Sequence, residues 1–72
     1  MTNERREVLE LLTELSELCP EMRMGQWLLM FAHSARGTKP ESIYDVEDEE
    51  LLPVMRRFLE SRREAATLAA AG

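Results

Sequence analysis

The chain has 72 residues with a formal net charge of −5, and it contains one cysteine and one histidine. This length predicts a single domain, and a lone cysteine excludes an intrachain disulfide. One cysteine and one histidine also fall short of the roughly four such ligands of a structural zinc site, and the acidic balance argues against binding to duplex DNA, which usually needs a basic face.

The first predicted helix spans about 3–18, because apolar residues recur on one of its faces. They are Val8, Leu11, Leu12, Leu15 and Leu18. This spacing is typical of an amphipathic helix, and Asn3 is its expected N-cap. Cys19-Pro20 should end the helix, since proline disfavours helical geometry in the preceding residue. The short connection predicts an αα-hairpin with the next helix.

The second predicted helix, at about 20–35, is apolar on nearly every side. Such a helix is normally buried, and a chain this small offers little to bury it. We therefore expect either a central position or a partner that completes the burial. Met22, Trp27 and Met30 form the candidate interface, with core filling as the alternative for the methionines. Gly25 suggests the close approach of another backbone.

The third predicted helix spans about 46–67 and follows a loop in which Ile43 and Tyr44 are expected to fold over the core. Pro53 should kink or break this helix, because its ring clashes with the preceding turn and it has no N–H to donate. The Ala-rich end, 68–72, is expected to fray. Together the elements predict an all-α fold, a compact three-helix domain in which an αα-hairpin is followed by a third, kinked helix.

An acidic run precedes the third helix. It consists of Asp45, Glu47, Asp48, Glu49 and Glu50. The main interpretation is a helix N-terminus, where carboxylates oppose the positive end of the macrodipole; the alternatives are an acidic patch that binds a basic partner and a metal site. An EF-hand calcium loop is excluded, because its sixth and twelfth positions, which need Gly and Glu, hold Glu50 and Arg56. Arg23 is expected to form a structural ion pair with the run.

Two sequence elements resemble those of a group of small helical bacterial and phage proteins that have no established activity. The first is Arg23-Met24-Gly25-Gln26, which opens the second helix. The second runs from Tyr44 to Leu52 as Tyr-x-x-Glu-Asp-Glu-x-Leu-Leu and opens the third helix. The resemblance covers 15–52, about half of the chain, and it implies a helical fold without implying a function. Pro53 departs from the pattern of the group.

The leading functional hypothesis is a small non-enzymatic protein–protein interaction module, which pairs with itself as a homodimer or docks into a larger assembly. The first alternative is an acidic inhibitor, similar to an antitoxin, that occupies a basic site on its partner. Residues 1–50 favour it with five basic and twelve acidic side chains, a balance of −7. A helix-turn-helix DNA binder is disfavoured, because the second helix offers Trp, Leu, Met and Phe where base contacts need polar side chains.

Nothing in the chain predicts catalysis, a cofactor or a membrane partner. A nucleophile, a base and an orienting residue do not form a recognisable set, so no catalytic, cofactor-binding or metal-ligating residues are predicted. The N-terminus lacks the apolar core of a secretory leader, and no apolar run approaches the ~20 residues of a membrane span. We therefore expect a cytoplasmic protein with no nucleic-acid or membrane partner.

Overall fold

The computed structural model describes residues 1–71, without the side chains of residues 70 and 71. Within this range the backbone forms four helices and no strand: α1 (Asn3–Leu18), α2 (Met24–Arg36), α3 (Ser42–Asp45) and α4 (Asp48–Ala71). Because α1, α2 and α4 correspond to the three predicted helices, the all-α three-helix domain is confirmed. The hydrophobic pattern does not predict α3, since four residues are too few to show a helical period.

The helix α1 forms where it is predicted, and its apolar stripe is its buried face. Thr2, rather than Asn3, is the N-cap, because its Oγ1 accepts a hydrogen bond from the Arg5 N–H at 3.1 Å. Four residues of the stripe are buried: Val8, Leu11, Leu12 and Leu15. Full burial of one leucine side chain contributes about 1.5–3 kcal/mol, so this face supplies much of the packing energy of the helix.

The helix α2 begins at Met24, four residues later than the sequence pattern predicts. A turn precedes it, in which the Met22 N–H donates to the Cys19 carbonyl oxygen at 3.1 Å. Arg23 then adopts an extended backbone conformation, and its N–H donates to Gln26 Oε1 at 2.8 Å. This contact is one half of a capping box, and it marks the start of the helix.

No backbone of the described residues lies close to Gly25. A Cβ built at this position meets no heavy atom within 4 Å, and the residue is exposed. The predicted close approach is therefore wrong, and the cost of glycine in a helix, about 1 kcal/mol relative to alanine, has no packing counterpart.

Ser42 holds the connection between α2 and α4 in place. Gly37 closes α2 with a φ of 98°, a conformation that glycine adopts without a steric penalty. Ser42 is 3% exposed, and its hydroxyl donates to the Gly37 carbonyl oxygen at 2.7 Å. Ile43 and Tyr44 do not cover the core as predicted, because both are exposed, Tyr44 to 87%. Val46 packs against the core instead.

The helix α4 begins at Asp48, two residues later than predicted, because a side chain caps the residue before it. Glu50 Oε1 accepts a hydrogen bond from the Glu47 N–H at 2.9 Å, and the Glu47 carbonyl oxygen accepts from the Glu50 and Leu51 N–H groups. The Glu50 carboxylate thus takes part in starting the helix, which agrees with the main interpretation of the acidic run.

Pro53 does not break the third helix. The helix α4 is continuous from Asp48 to Ala71 with Pro53 inside it. Pro53 is exposed and lies next to Leu51, Leu52 and Met55, which are buried; their packing outweighs the one backbone hydrogen bond that proline cannot make. The predicted fraying from residue 68 is not observed up to Ala71, and Gly72 lies outside the described residues.

The helix α4, and not α2, is the central helix. Three ion pairs join α1 to α4 in the same order along both: Arg5 with Asp48, Glu7 with Arg56, and Glu14 with Arg63. These two helices therefore run parallel, whereas α2 runs antiparallel to α4, with Arg36 at its end bound to Glu50 at 3.0 Å. Among residues 1–71, no Cα of α1 lies within 8 Å of a Cα of α2, so the predicted αα-hairpin is splayed.

Three aromatic rings, which we call the aromatic core (Trp27, Phe31 and Phe58), join α2 to α4. Trp27 and Phe31 are stacked with their centroids 5.7 Å apart, and Phe58 meets both edge-on at 5.5 and 5.7 Å. Stacked and edge-on arrangements are the favoured geometries of aromatic pairs. The exposed fraction is 0% for Trp27 and 2% for Phe31, so one chain alone encloses the largest apolar side chains of α2.

Candidate interaction surface

A cleft of about 360 Å³ opens where α1 and α2 diverge, and we call it the α1–α2 cleft. Its walls are Arg5, Val8, Leu9, Leu12, Met24, Leu28, Ile43, Val46, Asp48 and Leu51. Only two of these ten side chains are charged, so the cleft is an apolar concavity with one ion pair at its edge. Apolar concavities of this kind are where proteins usually bind partners or ligands.

Four large apolar side chains of the cleft are substantially exposed to solvent. They are Leu9 at 46%, Met24 at 51%, Leu28 at 37% and Ile43 at 38%. Single exposed apolar side chains are ordinary on protein surfaces, whereas their convergence on one concave patch is typical of an interaction site. The cleft is therefore the strongest candidate site of the described part of the chain.

The packing of α2 on α4 turns this set of side chains toward the cleft. Met24 and Leu28 are four residues apart, so they lie one above the other on the same side of α2. Trp27 and Phe31 direct the neighbouring face of the helix into the aromatic core. Because that face is buried, Met24 and Leu28 lie on the side of α2 that lines the cleft. Leu9 of α1 lies on the opposite wall.

A group of carboxylates, the acidic rim (Glu4, Glu47, Asp48 and Glu49), adjoins the cleft. With Thr2 these residues line a neighbouring depression of about 290 Å³, and Asp48 belongs to both surfaces. Asp48 Oδ2 binds Arg5 Nε at 2.8 Å, whereas no ion pair of the described residues includes Glu4, Glu47 or Glu49. The rim lies where α1 and α4 begin, so the helix macrodipoles stabilise its negative charge.

Two glutamates next to this region have lowered pKa values. Hydrogen bonds from the Glu47 N–H and then from the Arg36 guanidinium hold the pKa of Glu50 below its ordinary value. The hydrogen bond from the Arg56 guanidinium, with Nε 2.6 Å from Glu7 Oε2, lowers the pKa of Glu7 in the same way. Both carboxylates are charged at neutral pH. Glu50 forms the ion pair between α4 and α2, and Glu7 forms one between α1 and α4.

The candidate interface of Met22, Trp27 and Met30 does not lie on an open surface. Trp27 is fully enclosed, and Met22 and Met30 are half-buried against the core. Trp27 is therefore not available as a surface residue of an interface, because Phe58 of α4 supplies the covering ring. For the two methionines, core filling is the interpretation that fits their positions.

The predicted ion pair between Arg23 and the acidic run does not form within residues 1–71. The cations that bind the run are Arg5, with Asp48, and Arg36, with Glu50. Arg23 contributes its backbone instead, at the start of α2. The reason is that Arg23 precedes α2, whereas α4 begins beside the other end of that helix.

The five residues of the predicted acidic patch have separate roles. Asp48 and Glu50 are bound by arginines, Asp45 ends α3, and Glu47 and Glu49 line the acidic rim. No group of three or more His, Cys, Asp or Glu residues in the described range is arranged to hold a metal ion. The run therefore combines helix-start carboxylates with two carboxylates, Glu47 and Glu49, that form no ion pair among the described residues.

Sequence reasoning missed Leu9, Leu28 and Ile43 as site residues, although the exposure of one of them can be predicted. Leu9 lies outside the apolar stripe of α1, so its exposure follows from the helical spacing, although one exposed apolar side chain does not by itself indicate a site. Leu28 has no such signal, because α2 is apolar on nearly every side. Only the direction of α2 relative to α4 distinguishes its buried side from its cleft side.

A search of protein-family models, of curated protein sequences and of solved structures finds no match to this chain. The resemblance to small bacterial and phage proteins therefore stays a prediction. In the part of the chain that the structure describes, no helix has both the length and the apolar character needed to cross a membrane.

Proposed function

We propose that this chain is a small non-enzymatic protein–protein interaction module that binds a segment of another protein in the α1–α2 cleft. The observation that carries the proposal is the convergence of four exposed apolar side chains, each 37% to 51% exposed, on one concave surface. Contiguous apolar surface that is rimmed by polar groups is typical of protein interaction sites. Covering it removes that surface from water, which is favourable by about 25 cal/mol per Å².

Burial and charge favour another protein over a second copy of the chain. The homodimer expectation rested on the apolar surface of α2, and the aromatic core encloses the largest side chains of that surface within one chain. Two copies of the chain also carry the same net charge of −5. Like charges across an interface oppose association.

A photo-crosslinking amino acid at position 28 tests the proposal, with position 29 as the matched control. Leu28 and Leu29 are neighbours on α2 with similar exposed fractions, 37% and 43%, but only Leu28 lines the cleft. In cells that contain the chain at its natural level, irradiation is expected to give an adduct with one other protein from position 28 and not from position 29. Mass spectrometry identifies the protein.

Equal labelling from both positions, or no protein adduct from position 28, would contradict the proposal. An adduct with a second copy of the chain would show that the cleft binds a homodimer partner and not another protein. Molecular mass from light scattering at low micromolar concentration provides an independent measurement of that outcome.

The acidic rim favours a second candidate function, an inhibitor that occupies a basic site on its partner through charge. The supporting observation is that Glu4, Glu47 and Glu49 form no ion pair among the described residues. In that case the paired changes Glu47→Gln and Glu49→Gln abolish the complex that is crosslinked from position 28, whereas Leu9→Gln, a change in the opposite wall of the cleft, leaves it intact. The cleft proposal expects Leu9→Gln to have the larger effect.

A further inference from the structure

The shape of the α1–α2 cleft indicates which kind of segment it accepts. Its two facing walls come from α1 and α2, and an amphipathic helix placed in a groove between helices is a recurring mode of peptide recognition. A partner strand would need an open sheet edge, and residues 1–71 contain no strand. We infer that the occupant is an amphipathic α-helix of the partner protein with basic residues at its end, an inference that rests on the proposed function.

The spacing of the wall residues fits a helical occupant. Met24 and Leu28 on α2 are separated by four residues, and Leu9 and Leu12 on α1 by three, which is about one helical turn in each case. Helices pack by inserting side chains with this repeat into the gaps between those of the neighbour. Apolar residues of the partner at i, i+4 and i+7 therefore match the cleft.

Charge determines the second property of the occupant. The acidic rim shares Asp48 with the cleft, so a helix that fills the cleft brings one of its ends next to the rim. Three of the rim carboxylates form no ion pair with the described side chains. Lysine or arginine at that end of the partner helix supplies the missing cations, whereas an anionic lipid surface would be repelled.

The probe is a synthetic helical peptide of about 15 residues, with leucines at i, i+4 and i+7 and lysines at both ends. The matched peptide carries glutamates in place of the lysines. Amide and methyl NMR shifts of the full chain are expected to change around Leu9, Leu28 and Ile43 with the lysine peptide. Fluorescence anisotropy should show at least about tenfold weaker binding of the glutamate peptide, a difference that decreases as salt screens the charges.

Two pairs of variants locate the binding. Leu28→Gln is expected to weaken the lysine peptide by about tenfold and Leu29→Gln by less than about twofold, because only the first side chain is covered. Glu47→Gln with Glu49→Gln is expected to weaken it by about three- to tenfold. The control, Glu10→Gln with Glu17→Gln, makes the same change of net charge at exposed positions of α1 outside the cleft and the rim.

Equal affinity for the two peptides, or NMR shifts outside the cleft, would overturn the inference. So would tighter binding to vesicles of anionic lipid than to the lysine peptide, or a homodimer that Leu28→Gln dissociates and Leu29→Gln does not. The crosslinking experiment separates the two proposals: an adduct from position 28 with a non-helical or acidic segment keeps the interaction module and removes the basic helix.

Discussion

The two sides of α2 differ although their sequence composition is similar. One side carries Trp27 and Phe31, which pack against Phe58 of α4 in the closed aromatic core. The other side carries Met24 and Leu28, which remain 51% and 37% exposed in the α1–α2 cleft. An apolar helix surface therefore does not by itself indicate an interface. What matters is whether a neighbouring element of the same chain covers it.

The buried side of α2 therefore contributes to stability, and its exposed side is the one available for binding. The aromatic core joins α2 to the central helix and stabilises the fold. The cleft leaves apolar surface in contact with water, which costs stability unless a partner covers it. Changes in the core should therefore affect unfolding, and changes in the cleft should affect binding.

The largest effect is expected from truncation in the aromatic core. Trp27→Ala should destabilise the domain by about 3–5 kcal/mol, which is comparable with the whole stability that a core of this size supplies, about 3–5 kcal/mol. Thermal unfolding followed by circular dichroism should then lose its cooperative transition. Trp27→Phe is the control and should cost less, since the Trp27 indole N–H has no hydrogen-bond partner among the described residues to lose. A cooperative transition in Trp27→Ala with nearly unchanged stability would remove the distinction between the two sides.

A smaller effect on stability is expected from truncating leucines of α1, where a buried and an exposed leucine can be compared in the same helix. Leu15 is 0% exposed in the core, and Leu9 is 46% exposed in the cleft. Leu15→Ala should cost about 2–5 kcal/mol of unfolding free energy, because it leaves a cavity, and Leu9→Ala less than about 1 kcal/mol. Urea denaturation measures both values. Equal losses would mean that the cleft is as much a part of the core as the buried stripe.

The smallest effect is expected from acid, which acts on the ion pairs and leaves the apolar contacts of both sides unchanged. The folded state lowers the pKa values of Glu7 and Glu50, so the unfolded chain binds more protons in acid. Their stabilising contribution is present above about pH 4.3, the ordinary pKa of a glutamate, and is lost as the pH falls through the lowered values. Urea midpoints measured between neutral pH and acid should decrease, and Glu7→Gln should flatten the decrease. A midpoint that rises in acid would contradict this assignment.

Local sequence patterns predicted the helices better than their ends. The stripe from Val8 to Leu15 identified α1 and its buried face, because a helix period can be seen within one segment. The starts of α2 and α4 were predicted too early, since they depend on the capping contacts of Gln26 and Glu50. Pro53 was expected to kink or break the third helix, and α4 does not break there, because the packing of its buried neighbours outweighs the local preference of proline.

The candidate site was less predictable than the fold. The acidic run was recognised from its composition, and part of it does lie on the rim of the cleft. Trp27, one of the apolar residues proposed for the interface, is enclosed instead, because nothing within α2 indicates which of its sides meets Phe58. Arg23 was paired with the wrong region for a similar reason, since its distance from α4 depends on the antiparallel direction of α2.

An acidic chain of helices, with one clear amphipathic face on α1, could be predicted before any packing was known. Both properties follow from composition and from spacing along a single segment. The packed helices add that α4 is the central helix, that Trp27 is enclosed and that Leu9, Met24, Leu28 and Ile43 meet in one cleft. These outcomes depend on how aromatic rings and ion pairs match between helices that are distant in the chain, and such matches appear only when the helices are packed together.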